Sequence, residues 1–114
     1  YTQLVARLQQ QIVSGVYPPG SKLPSVRELA ADAGANPNTV QRAFAELERA
    51  GLIYTQRTAG KFVTEDAAAI AAARRSLAEA QTRQYLAAMR ALGCGKQEIH
   101  NLFDQMEEQE HADL

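Results

Sequence analysis

The stretch Asn36–Leu47, NPNTVQRAFAEL, has a polar front and an apolar back. Val40, Ala43, Phe44 and Leu47 recur at helical spacing, and Asn38, Thr39, Gln41 and Arg42 fall on the other side of the first turns. Asn36 followed by Pro37 is a helix-start signal: the asparagine side chain accepts from an orphan amide, and proline suits the first helical position. The helix is expected to run to about Ala50, with Gly51 ending it. Arg42 and Glu46 stand at i, i+4 and can pair, which leaves Arg42 and Arg49 open as ordinary surface charges. A helix with only a structural task gains nothing from so polar a front.

Working outward, Ser25 with Glu28 three residues on forms a capping box, so a second helix starts there, buries Leu29, Ala30 and Ala33, and stops at Gly34. Before it, VYPPGSKLPS brings three prolines and a glycine, and the backbone must turn or run extended. Leu4, Val5, Leu8, Ile12 and Val13 predict a first helix from Thr2 to Gly15. After the third helix the period changes. Leu52–Thr55 and Phe62–Thr64 read as strands, and Thr58–Lys61 as a loop around Gly60, giving a hairpin whose tip carries Arg57 and Lys61.

EDAAAIAAARRSLAEAQTRQYLAAMRAL then has no helix breaker over 28 residues. As one helix it would reach ~42 Å, more than a domain of this size is wide, so part of it is expected to project. Its apolar positions form two sets on different faces, Ile70, Ala73, Leu77 and Ala80, then Tyr85, Leu86, Met89 and Leu92. Gly93 and Gly95 break the chain, and Ile99, Leu102, Phe103 and Met106 give a stripe on a final helix that folds back as an αα-hairpin. The expected division is a winged region over residues 1–64 and a helical tail over residues 65–114.

Composition is that of a globular, mostly helical chain, with 46% hydrophobic and 22% charged residues in 114. The net charge of −1 hides an asymmetry: residues 1–64 hold seven basic and four acidic side chains, whereas residues 65–114 hold five basic and nine acidic. A polyanion is attracted to the first part and repelled by the second. One cysteine, Cys94, excludes an internal disulfide and is read as inert. No apolar run is long enough to span a bilayer and the first residues lack a signal-peptide layout, so the chain is read as cytosolic, with no membrane partner. His100 with Asp104, and His111 with Glu107 or Glu108, have helical spacing suited to a metal but read better as surface decoration. No nucleophile with its base, phosphate-cradling loop or ligand cluster is present, so neither an enzyme nor a cofactor or metal site is expected.

Helix, proline-rich turn, two capped helices and a hairpin is the layout of a winged helix-turn-helix, in which the third helix enters the major groove of double-stranded DNA. Asn38 and Gln41 are suited to adenine, Arg42 to guanine, and Thr39 to a base edge or a thymine methyl. Ser25 is first a cap, and a phosphate contact from its hydroxyl is a second use. Arg57 and Lys61 beside such a helix are expected to meet phosphate.

LPSVRELA, NPNTVQRAFAELERAGL and GKFV, in that order, resemble the DNA-binding region of GntR-family bacterial transcription regulators over residues 1–64. The short tail with two predicted helices resembles the YtrA-like subgroup. The resemblance implies that Arg27 contacts the operator, that Asn36, Asn38, Thr39 and Gln41 open the recognition helix, and that Gly60 approaches the minor groove. The wing departs from the family pattern, with Thr58 where a glycine stands and Lys61 where a threonine stands.

The resulting expectation is a mainly α winged helix-turn-helix protein acting as a homodimeric repressor on a palindromic operator. Leu77, Tyr85, Leu86, Met89, Leu92, Ile99, Leu102, Phe103 and Met106 would supply the dimer interface. An interaction adaptor that keeps the fold without reading DNA is the alternative. Some 50 tail residues leave little room for a pocket of ~300 Å³ in one chain, so a small-molecule effector would sit at the dimer interface.

Overall fold

A computed structural model describes residues 1–112. The elements among them are α1 (Thr2–Val13), α2 (Val26–Ala33), α3 (Pro37–Arg49), β1 (Ile53–Gln56), β2 (Gly60–Val63), α4 (Ala67–Ala91) and α5 (Lys96–Ala112). The architecture is mainly helical with one antiparallel hairpin, the winged-helix class expected. Two compact units are present, Tyr1–Ser76 and a second beginning at Leu77, with α4 continuous through both.

In the first unit, Leu4, Leu8 and Ile12 of α1, Leu29 and Ala30 of α2, and Val40, Ala43, Phe44 and Leu47 of α3 form one core with Leu23, Leu52, Ile53 and Val63. Ala33 packs partly buried against this cluster, as do Ile70 and Ala73 from the start of α4. Every one of these helical residues lies on the apolar stripe its own segment predicts, and no polar side chain is buried among the described residues.

Local signals set the helix ends. Ser25 Oγ accepts from the Glu28 amide at 3.1 Å, and the Glu28 carboxylate accepts from the Ser25 amide at 3.1 Å, completing the capping box. The Ser25 amide first, then the Ser25 hydroxyl and the charge of Lys22, hold the Glu28 carboxyl below its usual range. Gly34 ends α2 at φ 63°, a left-handed conformation that a side chain would strain. Ser25→Ala is expected to destabilise the first unit by about 1 kcal/mol, read as a lower urea midpoint at constant slope. No change in the midpoint would remove the cap from the list of stabilising features.

The wing differs from the expected loop. Gly60 and Lys61 belong to strand β2, and the connection is only residues 57–59. The Ala59 amide donates to the Gln56 carbonyl at 3.0 Å, and Gly60 at φ 110° turns the chain back, so pairing resumes at once with Gln56 opposite Gly60. The outer edge of β2 is also occupied. Leu23 donates its amide to the Lys61 carbonyl at 2.8 Å, Val63 donates to the Ser21 carbonyl at 2.9 Å, and Lys22 bridges Phe62. The proline-rich segment therefore acts as a third edge of the wing, which its composition does not suggest.

In the second unit, α4 reaches Ala91, residues 92–95 make the turn, and α5 folds back. Ile99 is buried, Leu77, Leu86, Met89 and Leu102 are half-buried, and Tyr85, Leu92, Phe103 and Met106 are exposed. Burial, with Glu98 beside it, pushes the Cys94 thiol up, which favours the unreactive protonated form. Among the described residues no helix is long and apolar enough to cross a membrane.

Candidate nucleic-acid interface

The buried back of α3 fixes which side chains face out. Val40, Ala43 and Leu47 are fully buried, with Phe44 1% exposed, so Asn38, Gln41 and Arg42 are exposed on the opposite side and Thr39 is half-buried. Asn36 commits its side-chain oxygen to the Asn38 amide at 2.8 Å, which leaves its NH₂ group outward-available. Arg27, exposed in the first turn of α2, and Arg57, exposed at the wing, have no ion pair among the described residues. Both guanidinium groups are thus available to an anion.

Two pairings differ from expectation. Glu46 pairs with Arg49, one turn further on, instead of Arg42. The Arg42 guanidinium instead lies over the Tyr1 ring, 4.1 Å from its centroid, an attraction between cation and ring face. Asp32 is taken by Arg7 at 2.8 Å, tying α1 to α2.

Lys61 does not stand at the wing tip. Its Nζ donates to Thr55 Oγ1 at 2.6 Å and lies 3.3 Å from the Glu48 carboxylate, which also accepts from the Thr55 hydroxyl. Glu48 is held below its usual range mainly by Thr55, with Lys61 adding to the effect. One carboxylate on α3 is thereby joined to both wing strands. Beside this clamp Val26, Gln41, Phe44, Ala45, Glu48 and Lys61 line a hollow of about 280 Å³. Lys22, which no sequence motif marks as a site residue, is exposed next to Gly60, a position set by its bridge to Phe62.

The second unit presents a different surface. Tyr85, Met89, Leu102, Phe103 and Met106 line one open apolar groove of about 490 Å³. Leu86 and Ile99 line another hollow with Arg90, Lys96 and His100. Leu92, at the turn, is 78% exposed, and Leu77 opens the unit. His111 faces Glu107 at 3.7 Å, and among the described residues no three His, Cys, Asp or Glu side chains converge as a metal site.

A capped helix pair, an outward polar helix front and an adjoining wing define a DNA-binding transcription regulator of the winged helix-turn-helix class. Residues 1–63 match the family described as "Bacterial regulatory proteins, gntR family". The chain belongs to the GntR family of regulators, whose members bind DNA and are not enzymes. It is 48% identical over 67 residues to the HTH-type transcriptional repressor YtrA of Bacillus subtilis, a match covering 59% of this chain and 52% of that protein. The matched stretch thus spans about half the length of that relative. It is 35% identical over 99 residues to the HTH-type regulator YhcF of the same organism, covering 87% of this chain and 82% of YhcF. A GntR-family regulator from Listeria monocytogenes has the same fold, with a TM-score of 0.86 at 41% identity and 92% of each chain covered.

Proposed function

We propose that this chain is a sequence-specific repressor that binds a palindromic operator as a homodimer. The observation that carries the reading is α3, whose back is wholly buried while Asn38, Gln41 and Arg42 are exposed. Base reading is assigned to Asn38, Thr39, Gln41 and Arg42, with Arg27 on the operator and Asn36 offering its free amide. Ser25, Arg57 and Gly60 supply backbone contacts on either side. One such helix reads only a few base pairs, so two copies in successive major grooves, ~34 Å apart, supply the missing affinity. The apolar groove of the second unit supports self-association, and the similarity to a protein named as a repressor supports the sign of regulation.

Selection of bound duplexes from a random pool tests specificity, symmetry and half-site spacing together. Enrichment of an inverted repeat is expected. Recovery of unrelated duplexes, all lost equally with salt, would point to an adaptor that does not read DNA. On the selected operator, Gln41→Ala and Arg27→Ala are each expected to weaken binding by ~1–3 kcal/mol, about 5- to 150-fold. Unchanged affinity in a gel shift would take these two residues out of base reading.

A further inference from the structure

The wing carries two lysines on opposite faces, and the structure gives them different surroundings. Lys61 is opposite Thr55 in the hairpin, and its ammonium is already satisfied by Thr55 Oγ1 at 2.6 Å and the Glu48 carboxylate at 3.3 Å. It also sits 6.0 Å from the centre of the Phe44 ring, over the root of α3. To reach a phosphate it would have to leave an oppositely charged partner, so its exchange from protein to nucleic acid brings little net charge neutralisation.

Lys22 is placed otherwise. Its backbone bridges Phe62, so by the two-residue period of a strand its side chain shares a face with Phe62 and Gly60, away from Lys61. Its stem lies along Gly60, where an added Cβ would stand 3.3 Å from Lys22 Cε. It precedes the α2 cap Ser25 by three residues, so it lies between the two places where this unit offers backbone amides and a bare glycine to a phosphate chain. Lys22 is exposed and makes no close ion pair among the described residues; only its charge acts on the Glu28 carboxylate, without a direct contact.

We propose that Lys22, lying across Gly60 between the wing and the start of α2, makes a phosphate contact beside that of Arg57, and that Lys61 is a positioning residue that locks both wing strands to α3 through Glu48. This rests on the DNA-binding reading and adds one cation to its electrostatic part. Lysine at 61, where the family pattern has threonine, is then a fastening of wing to helix and leaves the number of phosphate contacts unchanged.

The test uses the full chain with Lys22→Met and Lys61→Met, which remove the same charge and keep an apolar stem, on a random duplex and on the selected operator. Lys22→Met is expected to reduce the slope of log affinity against log salt by about 0.9 on both duplexes, the release of one counterion contact. Lys61→Met should leave the slope unchanged and instead narrow the ratio of operator to random affinity, as should Glu48→Gln, with Lys61→Arg restoring the ratio. Equal slope changes in both variants would reveal a general field effect and overturn the assignment, as would a change in Lys61→Met alone or in neither. Lys22→Gln, measured in parallel, guards against a peculiarity of methionine at an exposed site. An outcome in which the unmodified chain binds no duplex defeats the functional reading itself, whereas a chain that binds with the slopes reversed defeats only the division between the two lysines.

Discussion

Phe44→Ala is expected to lower the stability of the first unit by about 3–5 kcal/mol, the range for removing a buried aromatic ring from a packed core. Phe44 is 1% exposed and belongs to a single cluster drawn from α1, α2, α3 and the wing, so the cavity would open where all of them meet. Small domains have only about 5–15 kcal/mol in total, so a loss of that size in this thin core should leave the variant partly unfolded. Phe44→Leu, which refills most of the volume, should cost less than about half as much. Urea denaturation of the two variants checks the difference. A loss under 1 kcal/mol for alanine would mean that the ring is not the keystone of the helix's buried face, and the outward aim of Asn38 and Gln41 would then need another cause.

That coupling between core and reading face explains which parts of the protein were legible from its residues. Ser25 with Glu28, Gly34, and Asn36 with Pro37 act within four positions of themselves, so α2 and α3 could be placed closely, and the apolar stripe of α3 fixed its exposed side. The wing is legible as a hairpin but its length is not, because Gly60 has the composition of a loop residue whereas its positive φ restarts the strand. Features made by residues distant in sequence were not legible. The edge formed by Ser21–Leu23 along β2 has no periodicity to announce it, and the partners of Lys61, Thr55 and Glu48, lie 6 and 13 positions away. Arg42 had a plausible partner one turn on in Glu46, and only the fold brings Tyr1 to it. In the candidate site the polar residue types on the exposed front of α3 are therefore evident from the sequence, while the allocation of cations around them is not.

The other large effect is expected from Phe103→Asp combined with Met106→Asp. Both side chains are 56% exposed on the described chain and line the apolar groove with Tyr85, Met89 and Leu102. If a second copy covers that groove, two carboxylates would be buried there without partners, at a penalty large enough to prevent association. The doubly substituted chain should sediment as a monomer at micromolar concentration. Its affinity for the palindromic operator should fall about 10²- to 10⁴-fold, the gain that a second linked half-site supplies. Its affinity for an isolated half-site should hardly change, because Asn38, Thr39 and Gln41 belong to the other compact unit. Loss on the palindrome with retention on the half-site separates failed pairing from a damaged reading head. A variant that stays dimeric would move self-association away from this groove, and a variant that loses half-site binding as well would show that the tail supports the reading unit directly.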